Sequence, residues 1–176
     1  LRFLKDLEEF DTRLQAHLVG QSYLGTLVLS NRFFGSTQGD VGFHGAHVSR
    51  LVALVLTEKL LGEGAYVVLG DIQEQAGDDM VAVLGDRSRF KVCDVTKEEQ
   101  VEALVQSAVD EFGRIDVMFN NAGIVGALGP LESTTAEEWQ FRLDILLNGV
   151  FYGMKHASKH MKQARSGSII SMSSVA

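Results

Sequence analysis

Residues 115–123 read IDVMFNNAG, an apolar run that ends in two asparagines, an alanine and a glycine. Successive apolar residues predict a strand that is buried on both faces, which is typical of a parallel sheet covered by helices. The asparagines and the small residues predict a tight turn at the strand's carboxyl end. We therefore expect an α/β fold in which this turn lies at the edge where open parallel sheets bind ligands.

The chain after residue 64 repeats this alternation of strand and helix. Helices are predicted where apolar residues recur on one face, and capping boxes are predicted at Thr96 with Glu99 and at Thr135 with Glu138. The predicted strands are AYVVLGD (65–71), RFKVCDV (89–95) and SIISMSS (168–174), and the predicted helices cover residues 97–113 and 136–162.

The first 64 residues leave two interpretations open. In the first, LGTLVLS (24–30) is the opening strand, followed by a glycine-rich loop and a helix over residues 47–61. In the second, RLVALVL (50–56) is the strand, which leaves a short helix and no glycine loop. We favour the first interpretation, whose loop contains Gly35, Gly39 and Gly42.

Composition excludes several classes of protein. The 176 residues carry a formal net charge of −7, and no run of Lys or Arg indicates binding to nucleic acid or to an anionic membrane. The longest uninterrupted apolar stretch, residues 51–56, is far too short to span a bilayer. The single cysteine, Cys93, excludes an internal disulfide, and we expect a buried structural thiol in a cytoplasmic protein.

Glycines and acids follow the first three predicted strands. The glycine loop and the helix after it would bind a pyrophosphate, or the loop is a flexible surface loop without a ligand. Asp71, followed by Ile72, ends the second strand, where a carboxylate accepts hydrogen bonds from a ribose and repels a 2′-phosphate. Alternatively, Asp71 caps the next helix. Asp94 and Val95 end the third strand and would meet an adenine edge, unless Asp94 is a turn residue.

Amides and serines follow the last two predicted strands. The NNAG turn (120–123) would fix the backbone with its amides and leave room for a flat ring system above its small residues. Ser173 and Ser174 stand at the end of the final strand. Polar groups are therefore expected along the whole carboxyl edge of the sheet.

Together these residues resemble the classical short-chain dehydrogenase/reductase (SDR) family of single-domain, NAD(P)-dependent oxidoreductases. The resemblance runs from about Gly62 to Ala176, and its most specific motifs are CDVT (93–96) and NNAG. It implies a Rossmann-type doubly wound parallel sheet, truncated at its C-terminal side. Residues 21–176 would form an incomplete dinucleotide-binding domain after an N-terminal extension at residues 1–20.

The resemblance also implies roles for individual residues. Asp71 would bind the adenosine ribose, which favours NAD over NADP as the cofactor, and Asp94 with Val95 would line the adenine pocket. Ser174 matches the catalytic serine that hydrogen-bonds the oxygen of an alcohol or ketone substrate. The sheet beside the cofactor would be stabilised by Asn120, Ala122 and Gly123. Family members are usually homo-oligomers, and the long helix predicted at 136–162 would contribute to that interface.

Three features depart from the family pattern. Gly42 comes one residue late for the third glycine of the family's loop. Leu146 stands where the family has an asparagine that supports a proton relay, and Asn148 lies two residues later. The family's Tyr-x-x-x-Lys pair should follow Ser174, whereas the chain ends at Ala176, so we expect a fragment that is nearly inactive by itself.

Three functions remain open at this stage. The first is the N-terminal part of an NAD(H)-dependent SDR that interconverts a secondary alcohol and a ketone. The second is a truncated or degenerate relative that binds a dinucleotide or a partner without turnover. The third is another Rossmann class, such as a SAM-dependent methyltransferase, against which NNAG argues. No metal site is expected, because neither His156 with His160 nor His44 with His47 has a further ligand at close spacing.

Overall fold

The computed structural model describes residues 26–30, 54–124 and 130–173. Within these ranges the strands are β1 Thr26–Ser30, β2 Tyr66–Asp71, β3 Ser88–Val92, β4 Val117–Asn120 and β5 Ser168–Ser171. All neighbouring strands run parallel, in the spatial order β3-β2-β1-β4-β5. This is the doubly wound arrangement that the sequence predicts, since the strand order reverses on either side of β1.

Helices connect these strands. The helices of the described ranges are α1 (residues 54–62), α2 Glu74–Leu84, α3 Glu98–Phe112, α4 Ala136–Leu143 and α5 Gly149–Ala164. A short 3₁₀ helix covers Leu131–Ser133, and a π-helical segment, Asp144–Asn148, joins α4 to α5. None of the helices in the described part of the chain is long and apolar enough to cross a membrane.

The first of the two interpretations of the N-terminal region is confirmed. Residues 26–30 form the central strand β1, where Val28 pairs with Val68 on one side and with Met118 on the other. Residues 54–56 are helical, so the alternative strand over residues 50–56 is wrong. The predicted extension at residues 1–20 and the predicted glycine loop lie outside the described residues.

The core consists of two layers, one on each face of the sheet. Val68 and Met118 pack with residues of α3 and α5, whereas Val67 and Phe119 pack with residues of α1. Adjacent strand residues point to opposite faces, so an uninterrupted apolar run supplies both layers. This burial on both faces explains why β2 and β4 are apolar in succession and show no polar alternation.

The capping box at Thr135 is confirmed, and the one predicted at Thr96 is wrong. The Glu138 N–H donates to Thr135 Oγ1 at 3.1 Å, and the Thr135 N–H donates to Glu138 Oε2 at 3.0 Å. By contrast, α3 starts at Glu98, and both the N–H and the hydroxyl of Thr96 donate to Asp94 Oδ1, at 3.0 and 2.8 Å. The nearby Asp94 carboxylate is a strong hydrogen-bond acceptor and binds the Thr96 hydroxyl, which therefore does not cap the helix.

The predicted long helix over 136–162 is confirmed as α4, the π segment and α5 in succession. Two glycines let α5 lie close to the sheet. A Cβ added to Gly149 would lie 3.0 Å from Val95 Cβ, and one added to Gly153 would lie 2.0 Å from Asn120 Oδ1. The start of α5 is therefore held against the carboxyl ends of β3 and β4.

Candidate functional site

The carboxyl ends of the strands meet along one edge of the sheet. The register pairs Ser30 at the end of β1 with Gly70 of β2 and with Asn120 of β4. Asp71 follows directly on one side of β1, and the NNAG turn follows on the other. The candidate site is therefore a row of strand ends with an acidic group on the β2 side and amides on the β4 side.

Asp71 is half-buried at the end of β2. Its Oδ1 accepts a hydrogen bond from the Gln73 N–H at 3.0 Å, which fixes the orientation of the carboxylate. The helix α2 begins at Glu74 after Gln73, and no side chain caps it. Asp71 therefore stabilises the turn before the helix and does not occupy the cap position itself. Ile72, the next residue of this turn, is half-buried.

Asp94 is a turn residue, as one of the two interpretations of the sequence has it. Its carboxylate accepts the two Thr96 bonds, and its backbone N–H donates to Gln100 Oε1 at 2.7 Å. Val95 is 1% exposed because Gly149 packs on it. Asp94, half-buried, is the more accessible of the two residues, and the contact of this pair with adenine stays a prediction.

Cys93 is fully buried, as the sequence predicts for a structural thiol. Burial, together with the charges of Asp94 and Asp71 and against the opposing effect of Lys91, raises the pKa of this thiol to about 12. Both carboxylates thus act on the same thiol. The β2 and β3 side of the edge is therefore an anionic environment in which Cys93 stays protonated and unreactive.

The first residue of the NNAG turn, Asn120, is hydrogen-bonded to the neighbouring strand end at Ser171 and Met172. Asn120 is 3% exposed, and its Nδ2 donates to Ser171 Oγ at 3.4 Å. The Met172 N–H donates to the Asn120 carbonyl at 2.9 Å. A Cβ added to Gly123 would meet no atom nearer than 3.9 Å, whereas Ala122 packs against the core. A Cβ at Gly123 would therefore make only ordinary van der Waals contacts with the described residues, and room for a flat ring there stays a prediction.

The π segment borders this turn. Leu146, which stands in the family's asparagine position, is 44% exposed, and its Cδ2 lies 3.9 Å from the Cβ position of Gly123. Asn148 donates from Nδ2 to Asp144 Oδ1 at 2.8 Å. The Asn148 amide is thus bonded within the π segment, and the residue facing the turn is the apolar Leu146.

The structure brings most of the predicted site residues to one edge. Those placed along it are Asp71, Ile72, Asp94, Val95, Asn120, Ala122 and Gly123. The predicted pyrophosphate loop and the predicted catalytic serine lie outside the described residues, which leaves Gly35, Gly39, Gly42 and Ser174 as predictions.

A polar cluster between α3 and α5 could not be found by reading local spacing. His156 Nε2 lies 3.1 Å from Glu98 Oε1, and its Nδ1 lies 3.6 Å from Glu102 Oε1. Lys155 Nζ donates to Glu98 Oε1 at 2.6 Å, and these hydrogen bonds from Lys155 and His156 lower the pKa of Glu98. The carboxylates approach different ring nitrogens, and across residues 26–30, 54–124 and 130–173 no group of three or more acidic, His or Cys side chains could hold a metal ion.

Comparisons with known proteins agree with this geometry. Residues 45–176 match the family model described as Enoyl-(Acyl carrier protein) reductase. The chain is 40% identical over 151 residues to a 3-alpha-(or 20-beta)-hydroxysteroid dehydrogenase of Mycobacterium tuberculosis, covering 84% of this chain and 54% of that protein. It is 47% identical over 114 residues to momilactone A synthase of Oryza sativa subsp. japonica, covering 64% of this chain and 42% of that protein.

Solved structures show the same likeness. Xylitol dehydrogenase in its NAD⁺-bound crystal structure is 27% identical with a TM-score of 0.71, over 88% of this chain and 54% of that one. ElxO with NADP bound is 25% identical with a TM-score of 0.68, over 86% of this chain and 56% of that one. The chain spans about half the length of the relatives it matches. On its sequence, its strand order and these matches, the chain belongs to the short-chain dehydrogenase/reductase family.

Proposed function

We propose that the chain forms the cofactor-binding part of an NAD(H)-dependent oxidoreductase that interconverts a secondary alcohol and a ketone. The observation that carries this proposal is the position of Asp71, half-buried at the carboxyl end of β2 and adjacent to the central strand. Because the chain covers about half of its relatives' length, the substrate pocket is not assigned to the described residues.

The residues of the edge fit a nicotinamide dinucleotide. Such a cofactor supplies the hydride when it is bound. Asp71 would accept hydrogen bonds from the ribose hydroxyls of its adenosine half, and Asp94 would lie beside the adenine. The ring at the other end would lie beside Gly123, whose lack of a side chain would leave room for it, and Asn120 would hold β4 and β5 together beneath it. The predicted glycine loop, with Gly35, Gly39 and Gly42, would bind the pyrophosphate.

Electrostatics favours NAD over NADP. Solved relatives include an NAD⁺-bound and an NADP-bound enzyme, so the family alone leaves the choice open. In this chain the charges of both Asp71 and Asp94 reach the buried Cys93 and raise its pKa. A 2′-phosphate placed beside Asp71 would be repelled by this negative charge.

Binding of NADH and of NADPH, followed by fluorescence titration, tests this proposal. We expect the chain to bind NADH more tightly than NADPH. Loss of charge-assisted hydrogen bonds in Asp71→Ala should weaken NADH binding by roughly ten- to a hundredfold and narrow the difference between the two cofactors. Asp86→Ala is the matched control, because Asp86 is exposed in the turn before β3, at the amino edge of the sheet. Equal NADH affinity in Asp71→Ala and the wild type would contradict the assignment.

The substrate is proposed to be a small-molecule alcohol or ketone. Relatives named as hydroxysteroid and borneol dehydrogenases act on such compounds by name. Ser174 would hydrogen-bond the substrate oxygen. NADH formation with borneol by a longer form of the protein that includes residues after Ala176, and its loss in Ser174→Ala, would support this role, whereas an unchanged rate would refute it.

Homo-oligomer formation is proposed as well. The helix α5 presents exposed apolar side chains, with Phe151 55% and Met154 46% exposed. A large apolar surface of this kind is typical of a protein interface. Sedimentation velocity tests the proposal, and a clean monomer would count against it.

A dinucleotide-binding protein without turnover is the second candidate. Leu146 is the observation that favours it, since leucine has no polar atom for the relay that the family asparagine supports. Two results together would support this candidate over the first. NADH binding should depend on Asp71, and the longer form should not oxidise NADH in the presence of cyclic ketones.

A further inference from the structure

Leu146 is an exposed apolar residue beside the candidate ring site. Its side chain lies in the π segment between α4 and α5 and is 44% exposed. Its Cδ2 lies 3.9 Å from the Cβ position of Gly123, the last residue of the NNAG turn. π-Helical segments are rare and frequently occur at functional sites.

The neighbours of Leu146 fix it in this position. Ile145 is fully buried in the core on the α3 and α5 side of the sheet. Gly149 packs directly on Val95, and the Asn148 amide bonds to Asp144. The contacts of Ile145 before Leu146 and of Asn148 and Gly149 after it thus hold the segment in place, with the Leu146 side chain at the border of the NNAG turn.

The strand order decides which half of a dinucleotide would reach Leu146. Asp71 ends β2 on one side of β1, and Gly123 follows β4 on the other side. A ligand whose adenosine ribose binds Asp71 must cross the end of β1 to reach Gly123. The half that arrives there is the nicotinamide half.

We propose that Leu146 is a ligand-contacting residue that forms an apolar wall against the nicotinamide half of the bound dinucleotide. The inference rests on the proposed function. The leucine side chain offers contact area to the ring and excludes water from that side of it, since it brings no hydrogen-bonding atom. Contact with the ligand would remove from water the part of the side chain that is exposed without it.

Leu147 provides a matched control. It is the next residue of the same π segment and is 60% exposed, so it is at least as accessible as Leu146. Single exposed leucines are common on protein surfaces and carry no function by themselves. Leu146 differs from Leu147 in that its side chain lies beside the Cβ position of Gly123.

Two probes and two substitutions test the proposal. The probes are NADH and ADP-ribose, which lacks the nicotinamide ring, and the variants are Leu146→Asn and Leu147→Asn of the 176-residue chain. Covering about half of a leucine side chain predicts a loss of NADH affinity of roughly three- to tenfold in Leu146→Asn. ADP-ribose affinity should not change in either variant, and NADH affinity should not change in Leu147→Asn.

The outcomes separate the inference from the function on which it rests. Unchanged NADH affinity in Leu146→Asn, or an equal loss for both probes, overturns the role of Leu146. A wild-type chain that binds neither probe overturns the proposed function, and the inference with it. If Leu146→Asn fails to fold, Leu146→Ala and Leu146→Met replace it: the alanine variant should lose NADH affinity and the methionine variant should keep it, and equal affinity in the two contradicts the proposal.

Discussion

Gly153→Ala is the substitution for which the structure gives the largest steric consequence at the site. A Cβ at residue 153 would lie 2.0 Å from Asn120 Oδ1 and 2.7 Å from Met118 Cε. The first separation has to grow to at least 3.0 Å, which real Cβ contacts respect. Both neighbours are buried, with Asn120 3% and Met118 0% exposed, so the shift of either side-chain end has to be accommodated inside the packed core.

The magnitude follows from two opposing effects. Overpacking a filled site costs about 1–3 kcal/mol, whereas alanine in place of glycine inside a helix gains up to about 1 kcal/mol. Gly62→Ala isolates the second effect, because Gly62 is also helical and a Cβ there meets nothing within 4 Å. We therefore expect Gly153→Ala to be less stable than Gly62→Ala by about 1–3 kcal/mol, and Gly62→Ala to equal or exceed the wild type in stability.

Urea unfolding followed by far-UV circular dichroism measures this difference. A further variant assigns the cost to the contact with Asn120. In Gly153→Ala/Asn120→Ala the obstructing amide is gone, so the double variant should lose less stability than the sum of the two single variants. Equal stability of Gly153→Ala and Gly62→Ala would refute the close approach of α5 to β4, and strictly additive losses would show that Asn120 does not cause the strain.

Two further predictions concern titratable groups. Since burial raises the pKa of Cys93 to about 12, a thiol reagent at about pH 8 should label the native chain far more slowly than the unfolded chain, and equal rates would contradict the burial. The Lys155 bond lowers the pKa of Glu98 and raises that of Lys155, so the pair stabilises the fold at neutral pH. Its contribution is lost as pH falls through the lowered Glu98 pKa and as pH rises through the raised Lys155 pKa. Thermal melts of Lys155→Met should therefore differ from the wild type at neutral pH and converge with it at both extremes, and a constant offset would argue against the pair.

Helix starts illustrate how far local sequence determines structure. Thr135 and Glu138 form the predicted capping box, with both reciprocal hydrogen bonds present. Thr96 and Glu99 have the same spacing, yet Asp94 captures the Thr96 hydroxyl. The competing carboxylate, Asp94, stands two residues before Thr96 in the sequence. The spacing of Thr96 and Glu99 therefore predicts a capping box only if this neighbouring residue is disregarded.

Features that depend on tertiary contacts could not be predicted from the sequence. The partners of His156 come from α3, more than fifty residues away along the chain, and no local spacing predicts them. The π segment likewise reflects packing of α5 on the sheet. A signal for that packing was present: Gly149, Gly153 and Ala157 recur every four residues and are all buried. Small residues at this interval indicate a helix face that lies close to its neighbour.

The close approach of α5 and the chemistry of the site are connected through the ends of the strands. The positions of Asp71 and the NNAG turn could be predicted from the sequence, because parallel strands bring their carboxyl ends to one edge for any conformation of the connecting loops. The position of Leu146 could not be predicted in this way, because its place beside Gly123 depends on Gly149 and Gly153 holding α5 against β3 and β4. A substitution that pushes α5 outward would therefore move Leu146 away from the turn while leaving Asp71 in place. Gly153→Ala should for that reason weaken NADH binding more than ADP-ribose binding, which separates a displaced wall from a general loss of the fold.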